Sequence, residues 1–140
     1  VASIPGAGAA GGLGAGVMAF LDGRLEKGIE IMLDAVGFEN HIKDADIVIT
    51  GEGKLDTQSL RGKVVIGVAR RVKPYGVPVL AIVGDIGDDI DDVYNMGVTS
   101  VISINRVAIP FEQAKLRSRS DLALTFENLL RLHKAMSSGK

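Results

Sequence analysis

The sequence predicts an α/β fold, a three-layer arrangement of a parallel β-sheet with flanking helices, left incomplete within these 140 residues. Three observations carry this prediction. The runs Ile47–Thr50, Val79–Val83 and Val98–Ile104 are mainly apolar and do not alternate, as strands covered on both faces do. Helical patterns separate them, and the order strand, helix, strand, helix, strand implies right-handed crossovers. Three strands alone make a narrow sheet with open edges, so further strands are expected from chain outside these residues or from a partner subunit.

Taken in order, Ala9–Leu21 reads as a helix of small residues, and Lys27–Val36 as a second helix closed by Gly37. The first strand, Ile47–Thr50, ends at Gly51. Lys63–Lys73 carries Val64, Val68 and Val72 on one helical face and stops at Pro74-Tyr75-Gly76. The second strand runs into Gly84-Asp85. Asp89–Met96 is a short helix ending at Gly97, just before the third strand. Arg119–Met136 is the longest helical pattern, with Leu122, Phe126, Leu129, Leu130 and His133 near one face. Ser137–Lys140 reads as a frayed tail.

Composition narrows the function. Hydrophobic residues make up 46% and charged residues 24% of the chain, enough to bury a core. A formal net charge of −1 gives no field for nucleic acid or an anionic membrane. The absence of cysteine excludes disulfides and thiolate metal sites. No apolar run reaches the roughly 18 residues of a membrane span, and no secretory pattern opens the chain. A cytoplasmic location is expected. The opening Val1-Ala2-Ser3, without methionine, suggests a cut or processed piece of a longer protein.

Glycine is the outlier: 18 of 140 residues, about twice the usual share of ~7%. Gly6-Ala7-Gly8-Ala9-Ala10-Gly11 is a literal G-x-G-x-x-G. A dinucleotide site also needs a preceding strand and a later strand ending in an acid, and neither is evident. Two readings remain: close helix packing through Gly and Ala, or a helix N-terminus whose free N–H groups face an anion.

The richest segment is Gly51–Lys63, a polar stretch after a strand and before a helix, longer than the usual connector of about 2–6 residues. The carboxyl end of a parallel strand is where ligands bind. Lys54, Arg61 and Lys63 can hold phosphate or carboxylate charge. Asp56 or Glu52 can bind Mg²⁺ or accept a hydroxyl proton. A P-loop reading fails, because Val64 stands where Ser or Thr is required and no glycine lies five residues before Gly62. The bland alternative is a solvated loop laced with salt bridges. The aspartates Asp85, Asp88, Asp89, Asp91 and Asp92 offer a divalent-ion site, Asp85 foremost, or simply complement a helix dipole. His41 and His133 read as isolated packing or surface residues.

On these residues the chain resembles the C-terminal part of bacterial glycerate kinases of the glycerate 2-kinase type. The resemblance rests on Pro5–Gly14 and, more heavily, on Ile49-Thr50-Gly51-Glu52-Gly53 followed by Asp56, Gln58-Ser59, Gly62-Lys63 and Gly67-Val68-Ala69. Ile29-Glu30-Ile31 and Val83-Gly84-Asp85 extend it over about residues 3 to 105. Val65 departs from it, standing where proline is expected. The resemblance implies two α/β domains, one flavodoxin-like and the other inserted into it. Residues 1–40 would be a helical tail of the inserted domain, and residues 41–140 the C-terminal part of the flavodoxin-like one. It implies ATP-dependent phosphorylation of glycerate, with 2-phosphoglycerate as the expected product and ATP and Mg²⁺ as co-reactants. Asp56, Lys63 and Glu52 are then the catalytic candidates, and Asp56 and Asp85 the metal candidates. Gly6, Gly8, Gly11, Gly12, Gly51, Gly53, Lys54, Gln58, Ser59, Arg61 and Gly62 are the substrate and nucleotide candidates. The partner expected is the remaining N-terminal part of the same polypeptide, with a homo-oligomer left open. The competing reading is a non-catalytic flavodoxin-like module that binds an anion or a partner protein.

Overall fold

The computed structural model describes residues 4–61 and 63–138. The chain forms two compact units, Val1–Gly37 and Phe38–Lys140.

The first unit contains α1, Ala9–Leu21, and α2, Gly28–Ala35. α1 is not regular at its start. Ala10, Gly11 and Gly12 all have left-handed backbone angles, with φ of 51°, 67° and 92°. A Cβ on Gly11 or Gly12 would meet open space, so the left-handed turn accounts for these two glycines better than tight packing does. Among the described residues no strand precedes this turn. α2 buries Leu33 and ends before Gly37, whose φ of 59° stops it in the expected way.

The second unit holds the sheet. β1 (Val48–Leu55), β2 (Val79–Ile86) and β3 (Ser100–Ser103) are parallel and lie in the order β1-β2-β3. β2 is central, and Val79–Val83 is buried throughout, as its unbroken apolar run requires. β1 continues five residues past its apolar run, because Gly51–Leu55 stays in register with β2, Lys54 opposite Asp85 and Leu55 opposite Ile86. The sequence reading ended this strand at Thr50. β3 is shorter than Val98–Ile104, although Thr99 and Ile104 still donate backbone hydrogen bonds to Val79 and Val83.

The helices follow from the same patterns. α3 (Phe38–Ile42) was not anticipated, being a single short turn whose Ile42 is buried. α4 (Val64–Val72) packs on β1 and β2 and buries Val65, Ile66, Val68, Ala69 and Val72. Arg71 on α4 pairs with Glu39 on α3, and that hydrogen bond holds the Glu39 carboxyl below its ordinary pKa. α5 (Asp92–Asn95) is a single turn over the buried Val93. α6 spans Phe111–Ser137, starting eight residues before the predicted helix. Pro110 sits at its N-cap, and the Pro110 carbonyl accepts from Gln113 and Ala114. No described helix is long and apolar enough to cross a membrane.

Candidate active site at the strand ends

The Gly51–Lys63 segment divides into three parts. Gly51–Leu55 completes β1, Asp56–Arg61 makes a tight turn, and Lys63 precedes α4. Gly51 has a steric reason to be glycine. A Cβ there would stand 2.2 Å from the carbonyl oxygen of Ile82 on β2, and one on Gly84 would stand 2.4 Å from that of Gly53. Gly53 itself faces open space. The G-x-G therefore holds one glycine needed for strand pairing and one that leaves the strand end bare.

Asp56 organises the turn. Its Oδ1 accepts the backbone N–H of Gln58 at 2.9 Å and of Ser59 at 3.2 Å, an Asx turn of the kind aspartate favours. Ser59 is fully buried. Its hydroxyl donates to the Lys54 carbonyl at 3.3 Å and accepts the Asp56 N–H at 3.2 Å, which ties the end of β1 to the turn. Lys63 Nζ lies 4.0 Å from Asp56 Oδ1, with both side chains partly exposed. Gln58 and Lys54 are exposed beside them. Arg61 closes the short 3₁₀ turn Ser59–Arg61, and Gly62 lies outside the described residues. The result is a solvent-facing turn with a positioned carboxylate against a lysine, next to a second lysine.

Glu52 and Asp85 lie on another wall. Together with Gly53 and Gly84 they line a cleft of about 510 Å³ between the ends of β1 and β2, the segment after β3 and the first half of α6. Among the described residues, Glu52 Oε1 is buried without a hydrogen-bond partner. Asp85 is exposed, with its Oδ1 accepting the N–H of Ile86. Asp121 on α6 is buried and held by Arg117 through two hydrogen bonds of 3.2 Å, which raise the Arg117 guanidinium above its ordinary pKa. A second cleft of about 490 Å³ borders Thr50, Gly51 and the middle of α6.

Of the sequence candidates, the structure joins Lys54, Asp56, Gln58, Ser59 and Lys63 in one turn, and Glu52, Gly53 and Asp85 in the adjoining cleft. Gly6, Gly8, Gly11 and Gly12 belong to the first unit. Among the described residues no three His, Asp or Glu side chains gather into a metal site. The aspartates after Gly84 therefore form no cage of their own. Asn105, Phe111, Lys115 and Ser118 also line the cleft and were missed by the motif reading. Only topology points to them, since the segment after β3 must emerge beside the ends of β1 and β2.

A family model described as the glycerate kinase family matches residues 1–134. The chain belongs to this family. It is 47% identical over 129 residues to a glycerate kinase of Halalkalibacterium halodurans, covering 92% of this chain and 34% of that protein. It is 51% identical over 104 residues to the glycerate 2-kinase of Escherichia coli, covering 74% of this chain and 27% of that protein. A crystal structure of a protein assigned as glycerate kinase 2 from Salmonella typhimurium LT2 superposes with a TM-score of 0.72 at 38% identity, over 95% of this chain and 34% of that one. The chain thus spans about a third of the length of the relatives it matches.

Proposed function

We propose that the polypeptide carrying this chain transfers the γ-phosphoryl group of ATP to a hydroxyl of glycerate, giving phosphoglycerate, with the 2-phosphate as product, and ADP. The observation that carries this reading is the turn after β1, where Asp56 is fixed by two backbone N–H groups 4.0 Å from Lys63. Phosphoryl transfer asks for positioning and charge neutralisation more than covalent help. Lys54 and Lys63 supply positive charge at the strand end, where the phosphates and the glycerate carboxylate would lie. Asp56 is placed to take the proton as the glycerate oxygen bonds to phosphorus and the bond to the ADP oxygen breaks. Glu52 is the second carboxylate at the same strand end. Mg²⁺ is commonly held by one or two carboxylates together with substrate phosphates. That suits Asp56 or Asp85 as single ligands, without a protein cage.

The chain would act with the other two thirds of its relatives' length, in the cytoplasm. Among the described residues β1 is an open edge of the sheet, and Ile49 on it and Ile47 just before it are exposed. Leu116, Leu130 and Leu132 on α6 are exposed as well. Such surface asks for a covering layer, which the rest of the polypeptide would provide.

A coupled ADP-release assay on the full-length polypeptide, against a panel of hydroxy acids, tests the proposal. Glycerate-dependent turnover with Mg-ATP is expected, and residues 1–140 alone should be inactive. A pure full-length protein without glycerate-dependent turnover would overturn the reading.

A further inference from the structure

We propose that the cleft between the ends of β1 and β2 and the first half of α6 holds the nucleoside part of ATP. Phe111 would lie against the purine, and the Glu52 carboxylate would accept the ribose hydroxyls. This inference rests on the phosphoryl-transfer reading above.

Size is the first argument. A cleft of about 510 Å³ lies within the ~300–1,000 Å³ of sites for ligands much larger than a three-carbon acid. Glycerate would leave most of it empty.

Charge is the second. Among the described residues, Glu52, Asp85 and Asp121 line the cleft, with Lys115 as the only basic residue. Lys115 is already paired with Glu112 at 2.7 Å, and Asp121 with Arg117. Among the described residues neither Glu52 nor Asp85 has a cationic partner, and without a metal ion such a surface disfavours a bare triphosphate or a glycerate anion. It suits a neutral group that donates hydrogen bonds, and a ribose carries two such hydroxyls.

The third argument is the unpaired acceptor. A buried carboxylate oxygen without a donor is costly, and Glu52 Oε1 is such an atom among the described residues. The terminal torsion of glutamate is soft, so a small rotation turns the carboxylate toward a hydroxyl in the cleft. Apart from Asn105 and Ser118 the remaining lining is apolar, with Ile82, Ile104 and Ile109 on the walls and Phe111 largely exposed. An uncovered aromatic ring beside an apolar wall is a stacking platform for a base. Lys54 and Lys63 do not line the cleft, and they leave the charged end of the nucleotide to the neighbouring turn.

The test uses the full-length polypeptide, with ADP binding by calorimetry and separate KM values for ATP and glycerate. Phe111→Ala should raise the Kd for ADP and the KM for ATP about tenfold, as loss of one base–aromatic stack does, with the KM for glycerate unmoved. Glu52→Gln should narrow the preference for ATP over 2′-deoxy-ATP. Unchanged ADP affinity in both variants would overturn the proposal. So would a lowered Tm with normal nucleotide binding, which marks a cleft filled by other parts of the polypeptide, or a rise in the KM for glycerate instead. Wild-type protein that binds no ADP overturns it too. Wild-type protein that binds ADP through Phe111 but does not turn over glycerate leaves the cleft assignment standing and refutes only the choice of acceptor.

Discussion

Gly51 gives the sharpest structural prediction, because Gly53 two residues away is its control. A Cβ on Gly51 would sit 2.2 Å from the Ile82 carbonyl oxygen, and real Cβ atoms essentially never come closer than 3.0 Å to such an atom. The two strands must therefore part locally by at least about 0.8 Å, the difference between those distances. Strands pair at about 4.8 Å with N–H···O distances near 2.9 Å, so the shift breaks or badly stretches the two flanking ladder bonds. Each bond contributes about 1 kcal/mol net, and forced repacking of the buried β2 typically adds about 1–3 kcal/mol. Against this, Gly→Ala restricts the unfolded chain and returns only about 0.4–1 kcal/mol. Gly51→Ala should thus destabilise by about 2–5 kcal/mol. At about 2–4 °C per kcal/mol that lowers Tm by roughly 4–20 °C. Gly53→Ala meets open space and should stay within about 0.5 kcal/mol of wild type. The assay is thermal unfolding of the full-length polypeptide and both variants, followed by circular dichroism. Equal Tm values for Gly51→Ala and wild type would refute the close approach, as would an equal loss in Gly53→Ala.

Asp56→Asn and Lys63→Met should each lower kcat/KM by about 10²-fold or more, the scale of one positioned acid–base or electrostatic group. Asp56→Asn keeps an oxygen for the turn and should hold its Tm, whereas Asp56→Ala should also lose about 1 kcal/mol of capping. Wild-type kinetics in Asp56→Asn would reduce Asp56 to a turn residue. The Arg71 hydrogen bond lowers the Glu39 pKa in the folded state, so this pair stabilises the fold above the unfolded carboxyl pKa and loses that contribution as pH falls through the folded one. Glu39→Gln should therefore be less stable than wild type at neutral pH and converge with it in acid. A constant difference in Tm across an acid titration would count against the pair.

The sheet was legible because β2 is buried on both faces, and only an unbroken apolar run satisfies that environment. The reading failed where burial stops dictating composition. At the end of β1, Gly51, Glu52, Gly53 and Lys54 look like a loop by residue type, yet the backbone keeps its ladder with β2 because exposed strand ends need pairing and not apolar side chains. Phe111–Ser118 was passed over for a similar reason. All of it but Ala114 is exposed, so no apolar stripe marks it as helix. The two misses meet at one place. The extended end of β1 and the early start of α6 are the walls of the cleft that holds Glu52, so motif reading named Glu52, Gly53 and Asp85 on one wall and left the α6 wall unseen. Asp56, Ser59 and Lys63 carried a local signal because they bond to one another within eight residues. Glu52, Asn105 and Phe111 share a wall only through the parallel order of β1, β2 and β3. A cleft assembled by sheet order leaves no spacing in the sequence, and that is why Asn105 and Phe111 were seen only in the fold.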